Sequence, residues 1–236
     1  MSGAIAIFVK TPGYSAVKTR LASAVGTAAA VAWHRRAAAT VAAVATEAAR
    51  ACDAVVYWAV AESAAVAARA WDDLPNLAQG EGGLGARMAR VHAALVQRHG
   101  YGLLLGADAP QLETPALVDA LAWCAGAVPR QAIGPARDGG FWLYGGNRAS
   151  DLARWDAVEY SRGDTAARFR EVFTGAGGWL ELATLTDLDE GDDLSLMQQA
   201  LAALASPLPA QTALAAWLAA TFGRAGAVSV EKAGHP

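Results

Sequence analysis

Cysteine is nearly absent from this chain, with only Cys52 and Cys124 in 236 residues. They lie far apart in apolar surroundings, which excludes a disulfide scaffold and a cysteine-based metal site. They read as small buried residues. The four histidines, at positions 34, 92, 99 and 235, show no metal-ligand spacing. Positive charge is not in excess. At a net charge of −3, no global basic field invites nucleic acid, so cations act only locally. The alanine-rich segment 22–51 is broken by Trp33-His34-Arg35-Arg36, Glu47 and Arg50. It predicts a long helix in water rather than membrane insertion. The first apolar run meets a polar loop too soon for a signal peptide, so a cytoplasmic location is expected. No serine nucleophile elbow is present.

Apolar residues make up 54% of the chain, enough for one sizeable core. One domain over residues 1–223 is expected, followed by a small, polar, aperiodic tail at 224–236 that should fray. Strand-like runs recur at 4–9, 54–60, 102–106, 131–134 and 141–144. Helical stretches fall at 27–50, 63–71, 84–98, 115–124 and 165–173, with a final pair at 194–204 and 212–222. Strands alternating with helices predict an α/β fold with a mostly parallel sheet. Thr114 followed by Pro115 is a helix start signal, with Thr114 as the expected cap. Asp138-Gly139-Gly140 before Phe141 suggests a hairpin, and so one antiparallel strand.

The loop leaving the first strand carries Lys10, Lys18 and Arg20 with no acid among them. Open α/β sheets bind ligands at such strand ends. Phosphate is the natural partner for these cations; a solvated basic turn is the alternative. Leu103-Leu104-Leu105-Gly106-Ala107-Asp108 is a buried strand ending in one acid. Asp108 there can hold a divalent cation, or it can simply cap a turn before Pro110. Asp138 can bind a sugar hydroxyl or act as a base, or serve an ordinary hairpin turn. Trp142 and Tyr144 flank that turn as pocket candidates. The acidic segment from Asp187 to Asp193 precedes a helix. Asp192 and Asp193 suit the helix N-terminus. Asp187 and Asp189 alternate, so they share a side if extended, and Asp189 can supply a second carboxylate to a metal at Asp108. The spacing is not that of an EF-hand. The glycine-rich run Gln79-Gly80-Glu81-Gly82-Gly83-Leu84-Gly85-Ala86-Arg87-Met88 lacks a P-loop lysine in frame. It can cover a base or ribose, with Arg87 reaching a phosphate, or remain a plain loop with Arg87 and Arg90 solvated.

Five segments in order resemble the DUF2064 family, glycosyltransferase-like proteins of the GT-A nucleotide-diphospho-sugar transferase superfamily. They are residues 10–21, 83–88, 106–110, 134–141 and 187–194, and the resemblance runs from Ala4 to about Leu204. It implies a Rossmann-like three-layer αβα sandwich with a mostly parallel mixed sheet. By that resemblance Lys10, Lys18, Arg20, Gly83, Gly85 and Arg87 would meet the nucleotide. Asp108 and Asp189 would hold Mg²⁺ or Mn²⁺. Asp138, Gly139, Gly140 and Trp142 would face the sugar or acceptor, with Asp138, Lys18 and Arg20 as the catalytic set. The family's third motif usually reads Gly-Ser-Asp-Cys-Pro-Asp-Leu, whereas this chain has Ala107, Ala109 and Gln111 at the second, fourth and sixth positions.

The superfamily resemblance implies sugar transfer from a nucleotide-diphospho-sugar to a small acceptor. An opening similar to that of phospholactate guanylyltransferases keeps a second reaction open, nucleotidyl transfer from an NTP to a phosphorylated acceptor. A non-catalytic nucleotide-binding protein is the third possibility.

Overall fold

The computed structural model describes residues 2–62 and 70–223. Most of the helix expected at 63–71, and the tail from 224, lie outside the described residues. The strands are β1 (Ala4–Val9), β2 (Val55–Val60), β3 (Asn76–Ala78), β4 (Gly102–Gly106), β5 (Arg130–Pro135), β6 (Phe141–Gly146) and β7 (Gly178–Glu181). The helices are α1 (Thr19–Val25), α2 (Thr27–Cys52), α3 (Leu84–His99), α4 (Thr114–Cys124), α5 (Leu152–Asp156), α6 (Thr165–Val172), α7 (Asp193–Ala202) and α8 (Pro209–Phe222).

The seven strands form one mixed sheet in the order β3-β2-β1-β4-β6-β5-β7. β1 pairs in parallel with both β2 and β4, so Ile7 lies between Trp58 and Leu105. β6 is the antiparallel strand, bonded to β4 on one side and β5 on the other. The expected hairpin is therefore present. It has a consequence the sequence did not convey: β6 separates β4 from β5, so Gly134 is not on a strand adjacent to Gly106. Strand order reverses between β1 and β4, which makes the crevice beyond their carboxyl ends the topological switch point.

Alternation along β1 builds two cores. Ile5, Ile7 and Val9 face the layer holding Val41, Ala45, Leu117 and Leu121 of α2 and α4. Ala4 and Ala6 face the layer holding Met88, Val91 and Leu95 of α3, with Trp155, Phe169 and Phe173. Tyr144 belongs to that second core, where it packs edge-on against Trp155 and Phe169. It is not a pocket residue, because its ring is used up by aromatic packing.

A third, smaller cluster joins Leu21 of α1, Trp33 of α2, Met197 of α7, Leu214 and Leu218 of α8, and Leu188. Burying a leucine is worth about 1.5–3 kcal/mol. Leu21 and Leu188, both fully buried, therefore pin the chain just after Lys18 and between Asp187 and Asp189.

The expected helices among the described residues begin and end within two residues of their expected bounds, except that α8 starts three residues early, at Pro209. Glu113, not Thr114, occupies the cap position of α4, so Thr114 and Pro115 are its first two helical residues. The first turn tolerates proline because its amide would lack an intrahelical partner anyway.

Candidate functional site

A cavity of about 440 Å³ opens at the switch point. Its walls include Val9 and Lys10 beyond β1, Gly106 to Asp108 beyond β4, and Asp138, Gly140 and Trp142 around the hairpin. Lys18, Asp187 and Asp189 complete its polar side. The two lysines of the first loop, the acid after β4, the hairpin turn and the acidic segment thus converge from four distant parts of the chain.

The first loop is held by its own bonds. Thr11 donates its backbone N–H and its hydroxyl to Glu62, and Trp71 Nε1 donates to Thr11 Oγ1. His34 Nε2 lies 3.0 Å from the Lys10 carbonyl. Burial pushes the His34 imidazole below its ordinary pKa, against that backbone bond, so the neutral ring serves here as a donor. Gln79 ties two strand ends together, its Nε2 donating to Val9 O at 3.2 Å and Ala59 O at 2.8 Å. Both of its amide hydrogens are thereby used, which fixes the orientation of the side chain.

Lys18 is the centre of the polar side. Its Nζ lies 2.9 Å from Asp108 Oδ2 and 2.7 Å from Asp189 Oδ1. Its side chain is only 8% exposed, against 37% and 45% for the two acids. Burial by itself would lower the ammonium pKa, but the two carboxylates outweigh it and hold the pKa well above the usual lysine range. Asp108 answers in kind. Burial would raise it, and the Lys18 ammonium brings it below the usual carboxylate value.

Asp187 is the acid without such a partner. Burial, then the negative charges of Asp108 and Asp138, push its carboxyl up to about 6. Oxygens of Asp108, Asp187 and Asp189 all lie within 4.8 Å of one another. Three carboxylates facing one ammonium leave negative charge uncompensated, and an all-oxygen donor set of this kind suits Mg²⁺ or Mn²⁺.

Two neighbouring residues hold this acidic cluster in place. Asp193 Oδ2 accepts the backbone N–H groups of Asp189 and Glu190, so the first turn of α7 positions Asp189. Gln111 Nε2 donates to the Thr186 carbonyl, tying the Asp108 loop to the residue before Asp187. A carboxylate at this position could not donate, so Gln111 supplies a bond that an acid would not. Ala107 and Ala109 are buried in the first core.

At the hairpin turn, Asp138 makes a local contact and also borders the cavity. Asp138 Oδ1 accepts the Gly140 N–H at 2.8 Å, an ordinary turn contact, while Asp138 also lines the cavity. Trp142 donates its Nε1 to Ala183 O and lines the cavity beside it. Lys10, Lys18, Asp108, Asp138, Gly140, Trp142 and Asp189 are thus gathered at one cavity. Arg20 is not on its wall: its side chain is 71% exposed and its Nη1 is 3.6 Å from Glu190 Oε1. Gly83, Gly85, Arg87 and Gly139 are likewise off the wall, although Leu84 and Met88 from the same helix line it. Arg87 Nε is turned back onto the Gly82 carbonyl.

The cavity is also lined by His34, Tyr160, Ser161 and Arg162, and by Gln79 at the head of the glycine-rich run. Ser161 has φ +62°, an uncommon conformation for a residue other than glycine. No local sequence pattern marks His34, Tyr160, Ser161 or Arg162. Asp187 was visible through its alternation with Asp189.

No helix among the described residues is long and apolar enough to cross a membrane. No functionally curated protein matches the sequence. Among solved structures, the fold is similar to a candidate nucleotide-diphospho-sugar transferase from Desulfovibrio desulfuricans G20. The TM-score is 0.75 at 22% identity, over 94% of this chain and 97% of that one. It is also similar to CMP:2-keto-3-deoxy-manno-octonic acid synthetase complexed with CTP, with a TM-score of 0.50 at 14% identity, over 85% and 99% of the two chains. The architecture is therefore the α/β fold of the nucleotide-diphospho-sugar transferase type. Residues 40–162 match the profile described as "Uncharacterized protein conserved in bacteria (DUF2064)", and the chain belongs to that family.

Proposed function

We propose that this cavity binds a nucleotide through its phosphates together with a divalent cation, and that the protein transfers a sugar from a nucleotide-diphospho-sugar to a small acceptor. One observation carries the reading: Lys10, Lys18, Asp108, Asp187 and Asp189 converge at the β1/β4 switch point, beside a wall of Asp138, Phe141, Trp142 and Tyr160. Asp108, Asp187 and Asp189 would hold Mg²⁺ or Mn²⁺. Such a cation neutralises charge that develops on a leaving diphosphate. Lys10 and Lys18 would add positive charge on the side of the phosphates. Gln79, held by the Val9 and Ala59 carbonyls, lines the same cavity and would face the nucleoside. The carboxylate of Asp138 would orient a hydroxyl of the sugar or acceptor, and the aromatic wall would exclude water from it.

Nucleotidyl transfer from an NTP to a phosphorylated acceptor is the second reading. It is favoured by the same pairing of cations with an acidic cluster, which suits a triphosphate, and by the fold shared with a synthetase bound to CTP. A thermal-shift screen of nucleotide sugars against NTPs, each with and without Mn²⁺, tests both. A ligand at a hundredfold excess over its Kd should add about 2.7 kcal/mol. Mn²⁺-dependent stabilisation by nucleotide sugars, with release of a nucleoside diphosphate on turnover, is the expected result. Pyrophosphate release from an NTP with no turnover of any nucleotide sugar would overturn it for the second reading. Nucleotide binding without metal dependence or turnover would leave a binding protein.

A further inference from the structure

Lys18 occupies the place where a cation is needed. Its ammonium touches Asp108 Oδ2 and Asp189 Oδ1, two of the three carboxylates that form the acidic cluster. A divalent ion bound to those oxygens would sit against the buried Nζ, like charge on like charge. The two cations are therefore alternatives. The backbone supports a fixed anchor for a movable side chain. Lys18 has φ +46° and ψ +47°, in the left-handed region, immediately before α1. That conformation is unfavourable for a non-glycine residue, and the burial of Leu21 in the third cluster holds the chain just after it. Strain of this kind points to a constrained role.

We propose that Lys18 is a resident place-holder for the metal. In the nucleotide-free protein it neutralises Asp108 and Asp189. When a divalent cation enters, Lys18 swings on its four-carbon stem out of the cluster and onto the phosphates that arrive with the ion. A bare ion must expel the ammonium from two charge-assisted bonds and offers it nothing in return. An ion that enters with phosphate supplies the ammonium with new oxygens. The site thus takes metal and nucleotide together. The proposal rests on the metal-assisted nucleotide reading given above.

The test uses Mn²⁺ alone, without nucleotide. Binding is followed through the electron paramagnetic resonance signal of free Mn²⁺ in the wild type, Lys18→Met and Lys18→Gln. At least tenfold tighter Mn²⁺ binding in the neutral variants is expected. The second readout needs no variant: acylation of lysines in the wild type, mapped by mass spectrometry, with exposed Lys10 as the internal reference. Lys18 should react at least tenfold more slowly than Lys10 without metal, and saturating Mn²⁺ should abolish most of that protection. Equal Mn²⁺ affinity in all three proteins, or protection of Lys18 unchanged at saturation, overturns the place-holder while leaving the metal site standing. No Mn²⁺ binding by any of them overturns both.

Discussion

Gly139 and Gly163 touch so closely that a Cβ on Gly139 would lie 2.0 Å from the Gly163 carbonyl oxygen. Gly139 also has φ +88°, and its own carbonyl accepts the Ala166 N–H at 2.8 Å. The hairpin turn and the segment before α6 are thus latched together by backbone. Tyr160, Ser161 and Arg162, just before the contact, reach the cavity wall. Gly139 shapes the site from behind, without facing it.

Gly139→Ala should therefore damage both stability and the site. The positive φ disfavours a Cβ by about 1–2 kcal/mol, and overpacking against backbone adds about 1–3 kcal/mol. A loss of about 3 kcal/mol should lower Tm by roughly 6–12 °C in a chain of this size. Nucleotide affinity should fall as well, because the latched segment must move. A variant with unchanged Tm would show that the turn has room to yield.

A second prediction concerns acid. His92 is buried beside Tyr144 and Trp155, its Nε2 facing the Gly146 carbonyl at 3.3 Å. Burial pushes its imidazole down to about 4, against that backbone bond. The unfolded chain then takes up a proton near the ordinary value of 6.5, before the folded state does. Stability contributed by neutral His92 is complete above pH 6.5 and is lost as the pH falls toward 4, by up to about 3 kcal/mol. Urea midpoints measured from pH 7 to pH 4 should decline over that window. The His92→Phe variant should lose this part of the decline.

Much of this architecture could be read in the sequence because it rests on local signals. β1 and β4 are uninterrupted apolar runs, and the residue ending each run falls at the switch point by geometry alone. Asp187 and Asp189 were paired by alternation, and the Asp-Gly-Gly turn marked the hairpin. The elements left out are those without such signals. β3 is three residues long, and β7 lies half-exposed at a sheet edge. α1 is a single seven-residue helix whose one buried side chain is Leu21. Lys18 stands out in the sequence as a candidate phosphate-binding cation, but its carboxylate partners do not. Its bond to Asp189 spans 171 positions, and the third cluster that brings them together draws on four helices. Tyr144 and Trp142 look equivalent as sequence, yet only packing decides that one joins the aromatic core while the other lines the cavity.

The unpartnered acid yields a third prediction. The Asp187 carboxyl titrates near 6 rather than the ordinary 3.8, through burial and the like charges of Asp108 and Asp138. Its folded pKa is raised, so the folded state bears a penalty that builds as the pH rises from about 4 to about 6 and remains above it. Asp187→Asn should remove that penalty. After allowance for solvent screening, the gain at pH 7 is about 1 kcal/mol, vanishing below pH 4. The same variant should bind Mn²⁺ more weakly, since one of three oxygen donors is lost. A variant destabilised at pH 7 would mean that Asp187 makes a contact worth more than the repulsion it endures.

The last prediction separates two cations that look alike in the sequence. Lys10 lies on the cavity wall, whereas Arg20 lies outside it, largely exposed and facing Glu190. An exposed ion pair of that kind is worth little, and its cation is screened by solvent and salt. If the phosphates bind at the switch point, Lys10→Ala should remove a charge-assisted contact worth about 1.5–3 kcal/mol, about ten- to hundredfold in affinity. Arg20→Ala should change affinity by less than about threefold, and that change should shrink further at high salt. Calorimetric titration of both variants with a nucleoside diphosphate and Mn²⁺ decides the matter. A large loss at Arg20 with little at Lys10 would place the phosphates over the start of α1 instead, and would require the acidic cluster to receive its cation from that side.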